Sequence, residues 1–278
     1  MLKQRIITAV IMAAFVASCV LFLSAEALSF VFVLLVLISA WEWSNLSGLQ
    51  SVVTKMLFTV ACGALMLFSI WHSQLFLASY TVDNARSIIG LGCLWWSIAL
   101  LWVKSYPASS VLWTSLFMKV MMGFLTLVPA WLALVFLRVQ DHGIALIFIL
   151  IGLVASADIG AYFSGKAWGT KKLAPEVSPG KSWAGFFGGL VASCVFSLII
   201  WFQWGQLQLS FVAAMSIAIV TSLASVLGDL LESMVKRERG IKDSGQILPG
   251  HGGMMDRLDS LTAAAPVFAL SLMLAGGS

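Results

Sequence analysis

Between Ser225 and Ser260 the sequence gathers polar groups that an otherwise apolar chain has no ordinary use for. Ser225, Asp229, Glu232, Ser233 and Lys236 fall three or four residues apart, so on a helix they share one face. Asp256 and Asp259 are three apart and share a face of a helix beginning near Met254. Just ahead of them Gly250, Gly252 and Gly253 surround His251, and let the backbone take positive φ or approach a ligand closely. Amides at such a helix start favour anions. Magnesium takes a few carboxylate oxygens together with substrate phosphate oxygens, so Asp256 and Asp259, completed by Asp229, suit a divalent cation beside a phosphate. The plainer alternative is an ion pair at a helix end, Asp229 with Lys236 or Arg237, with Asp256 a helix N-terminal charge and His251 a turn residue.

A second polar segment, "GKAWGTKKLAPEVSPGKSWAG", carries Lys166, Lys171, Lys172 and Lys181. These cations could bind phosphate or hold the loop on an anionic membrane surface. Pro179-Gly180-Lys181-Ser182 imitates the end of a nucleotide-binding P-loop, but that motif needs glycine where Pro175 stands and a strand before it. A nucleotide-hydrolase P-loop is excluded; Lys181 and Ser182 remain candidates for phosphate by another geometry. Asp158, near Ser156 and Tyr162 inside an apolar run, is expected to face a polar cavity beside the site rather than to relay protons. Glu42, between Trp41 and Trp43, reads as an interfacial residue among aromatic anchors; Lys119, in the fifth span, is unexplained, with snorkelling one option. There is no G-x-S-x-G elbow, no nucleophile–base pair with His251 and no pair of zinc histidines.

The elements that must position these groups are membrane spans. With 60% hydrophobic and 10% charged residues among 278, plus 12 Trp and 18 Phe, the chain lies far from soluble composition. Its apolar runs are long enough to cross about 30 Å of hydrocarbon. About nine spans are expected, near 6–24, 27–42, 55–72, 88–103, 113–137, 143–163, 184–203, 211–231 and 259–276. The expectation is therefore an all-α polytopic membrane protein of one domain, 1–278, with no internal repeat. Its half 1–140 is less informative, and its half 141–278 carries two polar loops, 164–183 and 232–258, that form an interfacial active site. Cys19, Cys62, Cys93 and Cys194 all sit in apolar runs, which indicates neither disulfides nor zinc.

Charge distribution orients the spans. With the N-terminus in the cytoplasm, Lys55, Lys104, Lys166, Lys171, Lys172, Lys181, Lys236, Arg237, Arg239, Lys242 and Arg257 fall on the cytoplasmic side. Only Arg86 and Arg138 fall opposite, as the positive-inside rule requires. The net charge of +4 is too small to point to nucleic acid.

The run Ser233-x-x-Lys236-Arg237, Lys242-Asp243, Leu248-Pro249-Gly250-His251-Gly252-Gly253 and Asp256-Arg257-Leu258-Asp259 resembles the C-terminal signature of the phosphatidate cytidylyltransferases, the bacterial CDP-diacylglycerol synthases. Ser178-Pro179-Gly180-Lys181-Ser182 with Trp183-x-Gly185 is similar to that family's second motif. The resemblance implies transfer of CMP from CTP to phosphatidate, giving CDP-diacylglycerol and pyrophosphate, in the inner membrane. It also implies Mg²⁺, with a second metal ion possible, and a possible homodimer. On this reading Asp229, Asp256 and Asp259 hold the metal, and Lys236, Arg237, Lys242 and Arg257 contact CTP or pyrophosphate. Ser178, Lys181 and Ser182 approach substrate phosphates with Ser233 and the glycines, while Asp243 and His251 orient the loop. The physics agrees: phosphatidate is already an anionic nucleophile, so what must be supplied is cationic charge to offset repulsion and stabilise the leaving pyrophosphate.

Two readings from other classes compete. A transporter of an anionic solute would explain the spans and Asp158, but predicts charge spread through midplane spans and paired repeats, not two loops on one face. A CDP-alcohol phosphotransferase would need a D-G-x-x-A-R motif, which is absent. A purely structural subunit gives no reason for the glycine–aspartate set.

Overall fold

Serines and glycines set the helix ends in this chain. Ser24, Ser51, Ser115 and Ser210 each precede a helix and accept a hydrogen bond from the amide three residues on, at Ala27, Thr54, Met118 and Ala213. The computed structural model describes residues 2–77, 82–203, 209–247, 250 and 252–276, with 2–6 and 9 by backbone alone. His251, Leu248 and Pro249, singled out in the sequence, lie outside the described residues.

The helices are α1 (Leu2–Phe22), α2 (Ala25–Leu46), α3 (Val52–Ser73), α4 (Val82–Lys104), a short α5 (Ser110–Trp113), α6 (Leu116–Val139) and α7 (Gly143–Trp168). A hairpin of β1 (Lys172–Ala174) and β2 (Ser178–Ser182) follows, then α8 (Trp183–Gln203), α9 (Phe211–Arg239) and α10 (Met255–Ala275). Among the described residues eight helices are long and apolar enough to cross a membrane, and α1 adds a shorter apolar stretch, Val10–Phe22. The all-α polytopic expectation holds, with one addition in the second polar segment. There the strands pair antiparallel, Lys172 opposite Ser182 and Ala174 opposite Ser178.

α6 is the hub, burying Met122, Leu127, Leu132, Phe136 and Leu137, whereas the peripheral α8 buries only Gly185, Gly189 and Ser193. Small residues let the helices close. Gly123 of α6 lies flat on the Trp43 indole, and Gly160 of α7 faces Gly188 of α8 with no room for a Cβ. Outward-facing Phe22, Leu67, Trp71, Val111 and Phe202 are strongly exposed, a pattern intelligible only if the outer solvent is lipid.

At the polar end two helices run past their expected spans. α7 runs on to Trp168, and α9 runs to Arg239, absorbing the first third of the segment read as loop 232–258. α10 begins at Met255, beside the start expected near Met254, so Asp256 and Asp259 are both helical. The reason at α9 is physical. Nothing after Glu232 breaks a helix until Gly240, which takes φ 71, and Lys236, Arg237 and Arg239 in the last turn complement the helix dipole. Polarity marked the span's exit from the apolar layer; it did not mark the helix's end.

The two ends of the bundle are unlike. At one, Arg239 Nε donates to the Asn45 carbonyl, Lys55 Nζ reaches Asn45 Oδ1, and Arg237 Nε donates to the Val177 carbonyl in the hairpin turn. At the other, Arg138 donates to the carbonyl of Leu23. Both polar segments therefore meet at the same end.

Candidate active site

The hairpin brings the second polar segment onto α9. Ser182 closes β2 and opens α8, its Oγ accepting the Gly185 amide at 3.1 Å as an N-cap. That cap fixes the register of the preceding Lys181, whose Nζ lies 2.7 Å from Asp229 Oδ2 on α9. Asp229 Oδ1 accepts from Ser233 Oγ one turn later, at 3.1 Å. Asp229 thus pairs with Lys181 across the site, not with Lys236 or Arg237 along its own helix.

This ion pair lines a cavity of about 400 Å³ among α7, α8, α9 and β2. Asp158, Lys166, Lys181, Ser182, Ser222 and Asp229 supply polar groups, while Ala157, Ala161, Phe186, Leu190 and Val226 make the remainder apolar. Asp158 faces a polar cavity beside the ion pair, as its sequence context suggested. Lys181 and Asp229 are 26% and 34% exposed, open enough to exchange partners with a substrate.

A second polar set joins the next turns of α9 to α10 and is largely shielded from solvent. Lys236 Nζ bridges Glu232 Oε2 at 2.6 Å and Asp256 Oδ1 at 2.7 Å, tying α9 to the start of α10. Asp256 Oδ2 also accepts the amides of Ser244 at 3.0 Å and Gly253 at 2.7 Å. Gly252, at φ 83, and Gly250, at φ 76, take left-handed conformations that let the chain turn back onto α10. A Cβ on Gly252 would run into Asp256 Oδ2, so this glycine is required twice over. Asp259 is the next acidic residue along α10; its backbone packs on Gly228, and its Oδ1 accepts the Ser260 amide.

Of the residues singled out in the sequence, the fold brings Lys181, Ser182, Asp229 and Ser233 together, and Lys236, Gly252, Gly253 and Asp256 together. Lys242 and Asp243 are exposed on the loop after α9, and Arg257 lies on the exposed side of the first turn of α10. Ser178 sits in β2 opposite Ala174, away from the cavity lining. Ser225, expected on the polar face of α9, is buried and donates to its own helix at Ser222.

Three positions carry more than the sequence reading gave them. Glu42 is not an interfacial residue held among aromatic anchors: it is 2% exposed and accepts from Ser244 Oγ, Met254 N and Met255 N. The interfacial reading failed because the Trp41 and Trp43 neighbours pointed to a bilayer edge. Burial came instead from a loop 200 positions downstream folding over α2. Glu232, placed by the sequence on the polar face of α9 but given no role, is fully buried, and its Oε1 has no hydrogen-bond partner among the described residues. Gly245 lies so close to the Glu42 carboxylate that any Cβ would collide with it. Lys119 participates by backbone, its carbonyl accepting Trp43 Nε1 at 2.9 Å.

Among the described residues no three acidic, histidine or cysteine side chains form a ready-made metal cage. That does not conflict with Mg²⁺, which keeps its waters and takes only one or two carboxylates plus substrate phosphate oxygens. The donors fit unequally. Asp229 is half open, whereas Asp256 already receives three donors on about four lone-pair sites.

An apolar bundle of spanning helices, with a lysine–aspartate cleft beside a glycine loop at one end, defines a membrane protein equipped to handle anionic amphiphiles. The profile of the cytidylyltransferase family matches residues 3–275, and the chain belongs to that family. It is 41% identical to the phosphatidate cytidylyltransferase of Pseudomonas aeruginosa, over 99% of this chain and 98% of that one. Identity is 38% to the phosphatidate cytidylyltransferase of Haemophilus influenzae, covering 96% and 97%. It is 33% to that of Bacillus subtilis, covering 77% and 88%.

Proposed function

We propose that this chain transfers CMP from CTP to phosphatidate, giving CDP-diacylglycerol and pyrophosphate. The observation that carries the reading is the Lys181–Asp229 pair lining a cavity among spanning helices that also presents the apolar Ala157, Ala161, Phe186, Leu190 and Val226. A lipid phosphate fits such a cavity: its head meets the cation while its tails stay in apolar surroundings.

In the reaction a phosphatidate oxygen attacks the α-phosphorus of CTP, and the bond from that phosphorus to the oxygen bridging to the β-phosphate breaks. The electron pair leaves with pyrophosphate. No proton need be removed from the nucleophile, which is why a Ser–His pair is unnecessary. Lys181 would leave Asp229 for the lipid phosphate, holding one anion in place to meet the other. The exposed Arg257 and Lys242 border the glycine loop, where amides and cations offset the triphosphate charge. Lys236, pinned between two carboxylates, contributes through the placement of α10. Asp229 and Asp259, with Asp256 beside them, would hold Mg²⁺, which bound there supplies charge to both phosphate groups. The end carrying both polar segments would face the cytoplasm of the bacterial inner membrane, where CTP is found.

The test is direct. Purified protein in detergent with phosphatidate, radiolabelled CTP and Mg²⁺ should yield a lipid-soluble cytidine product and pyrophosphate in equal amounts. Absence of that product with correctly inserted protein would reject the reading.

A further inference from the structure

We infer that Glu42, in the N-terminal half of the chain, is the positioning residue for the nucleotide side of the site. It ties Ser244, after α9, and Met254 and Met255, at the start of α10, to α2. The inference rests on the proposed reaction for its kinetic part and on geometry alone for the rest.

Glu42 lies near the C-terminal end of α2, 2% exposed, where an ionised carboxylate is tolerated only if its oxygens are satisfied. They are. Oε2 accepts from Ser244 Oγ at 3.1 Å, at the loop's entry, and from Met255 N at 2.7 Å, at its exit. Oε1 accepts from Met254 N at 3.0 Å. The last two donors are free amides at the start of α10, so one remote carboxylate does the work of an N-cap while also holding the residue that enters the loop. Met254, the residue preceding α10, makes no side-chain cap of its own. Gly245 and Gly253 lie against the Glu42 carboxylate with no space for a Cβ, so the loop's glycines are matched to this side chain as well as to any ligand.

The consequence falls on Asp256 and Arg257, which sit in the first turn of the helix that Glu42 caps. Asp256 repeats the same closure from the other side, accepting Ser244 N and Gly253 N. Ser244 is thus held by both carboxylates, its hydroxyl by Glu42 and its amide by Asp256. The Lys181 cavity shares no residue with this clamp. Loosening the clamp should therefore disturb CTP and leave the lipid phosphate alone.

Glu42→Gln is the first probe, because it keeps the volume and sets an NH₂ donor against donors. The expected result is a KM for CTP raised about tenfold, with the KM for phosphatidate unchanged, for the loss of a charge-assisted hydrogen bond. Hydrogen–deuterium exchange of the peptides spanning 243–256 should be faster in the variant than in the wild type. A second probe does not depend on one substitution being tolerated. Gly245→Ala alone should show the same split in KM. Adding Glu42→Ala, which removes what the new Cβ strikes, should cost nothing beyond Glu42→Ala alone. Unchanged exchange at 243–256 would overturn the clamp. Faster exchange with both KM values unmoved, or moved equally, would overturn its role on the nucleotide side, as would fully additive losses in the double variant. Should the wild-type protein form no cytidine lipid, the proposed reaction fails, and the exchange measurement still decides the clamp.

Discussion

The molecule holds two carboxylate–lysine sets on α9 that differ in almost everything except composition. Lys181 and Asp229 form one pair, about a third exposed, beside a cavity. Lys236 is 13% exposed and is gripped by Glu232 and Asp256, themselves 0% and 9% exposed, with backbone amides completing the set. The first set can release its cation to an incoming anion because water replaces what is lost. The second cannot, because each charge there has given up water and relies on its neighbours. The same chemical types serve exchange in one place and fixation in the other, and burial alone decides which.

The contrast is broken most forcefully at Lys236. Lys236→Ala leaves Glu232 and Asp256 buried without their cation, and should destabilise the protein by about 3–5 kcal/mol. It should appear as a large fall in the thermal midpoint in detergent, with activity lost as a result. A stable but inactive Lys236→Ala protein would mean that the lysine reaches substrate directly and that the two sets are less different than their burial indicates. Lys181→Ala should behave the opposite way. A pair this exposed contributes no more than about 1 kcal/mol to folding, so the midpoint should hardly move. Turnover should fall by about 10²–10³-fold, as when one preorganised charge-stabilising donor is removed. Lys181→Arg should recover part of it. A Lys181→Ala protein that keeps full activity would detach the cavity from the chemistry.

How much of this was legible beforehand follows the same division. The spans and the glycine–aspartate segment were readable because local composition records them: an apolar run must lie in the membrane, and Gly252 must sit where φ is positive. Lys181 and Ser182 were readable as phosphate candidates, though not as partners of Asp229, since no local pattern specifies which span a hairpin folds against. Glu42 was read wrongly for the same reason. Its neighbours Trp41 and Trp43 describe a bilayer edge, while its hydrogen-bond partners are Ser244, Met254 and Met255. The β-hairpin was missed because Pro179 and Gly180 read as loop; β2 tolerates them in a two-stranded sheet, where one edge of each strand is free. Side chains that serve the exposed site announce themselves in sequence. Those that hold the site together from a distance do not.

Ser233 stands between the two sets, one turn after Asp229 and next to Glu232, and offers the finest measure of where one ends and the other begins. Its hydroxyl donates to Asp229 Oδ1 while Lys181 takes Oδ2. The serine therefore fixes the carboxylate's rotation and leaves the lysine free to depart. Ser233→Ala removes one hydrogen bond at a half-open site, a net of about 1 kcal/mol, so turnover should fall roughly fivefold. The thermal midpoint should stay put, and Ser233→Thr, which keeps the hydroxyl, should restore most of the rate. A hundredfold loss would place Ser233 in contact with the reacting phosphates. A lowered midpoint would assign it to the buried set around Glu232, and the line between exchange and fixation would then run through Asp229 itself.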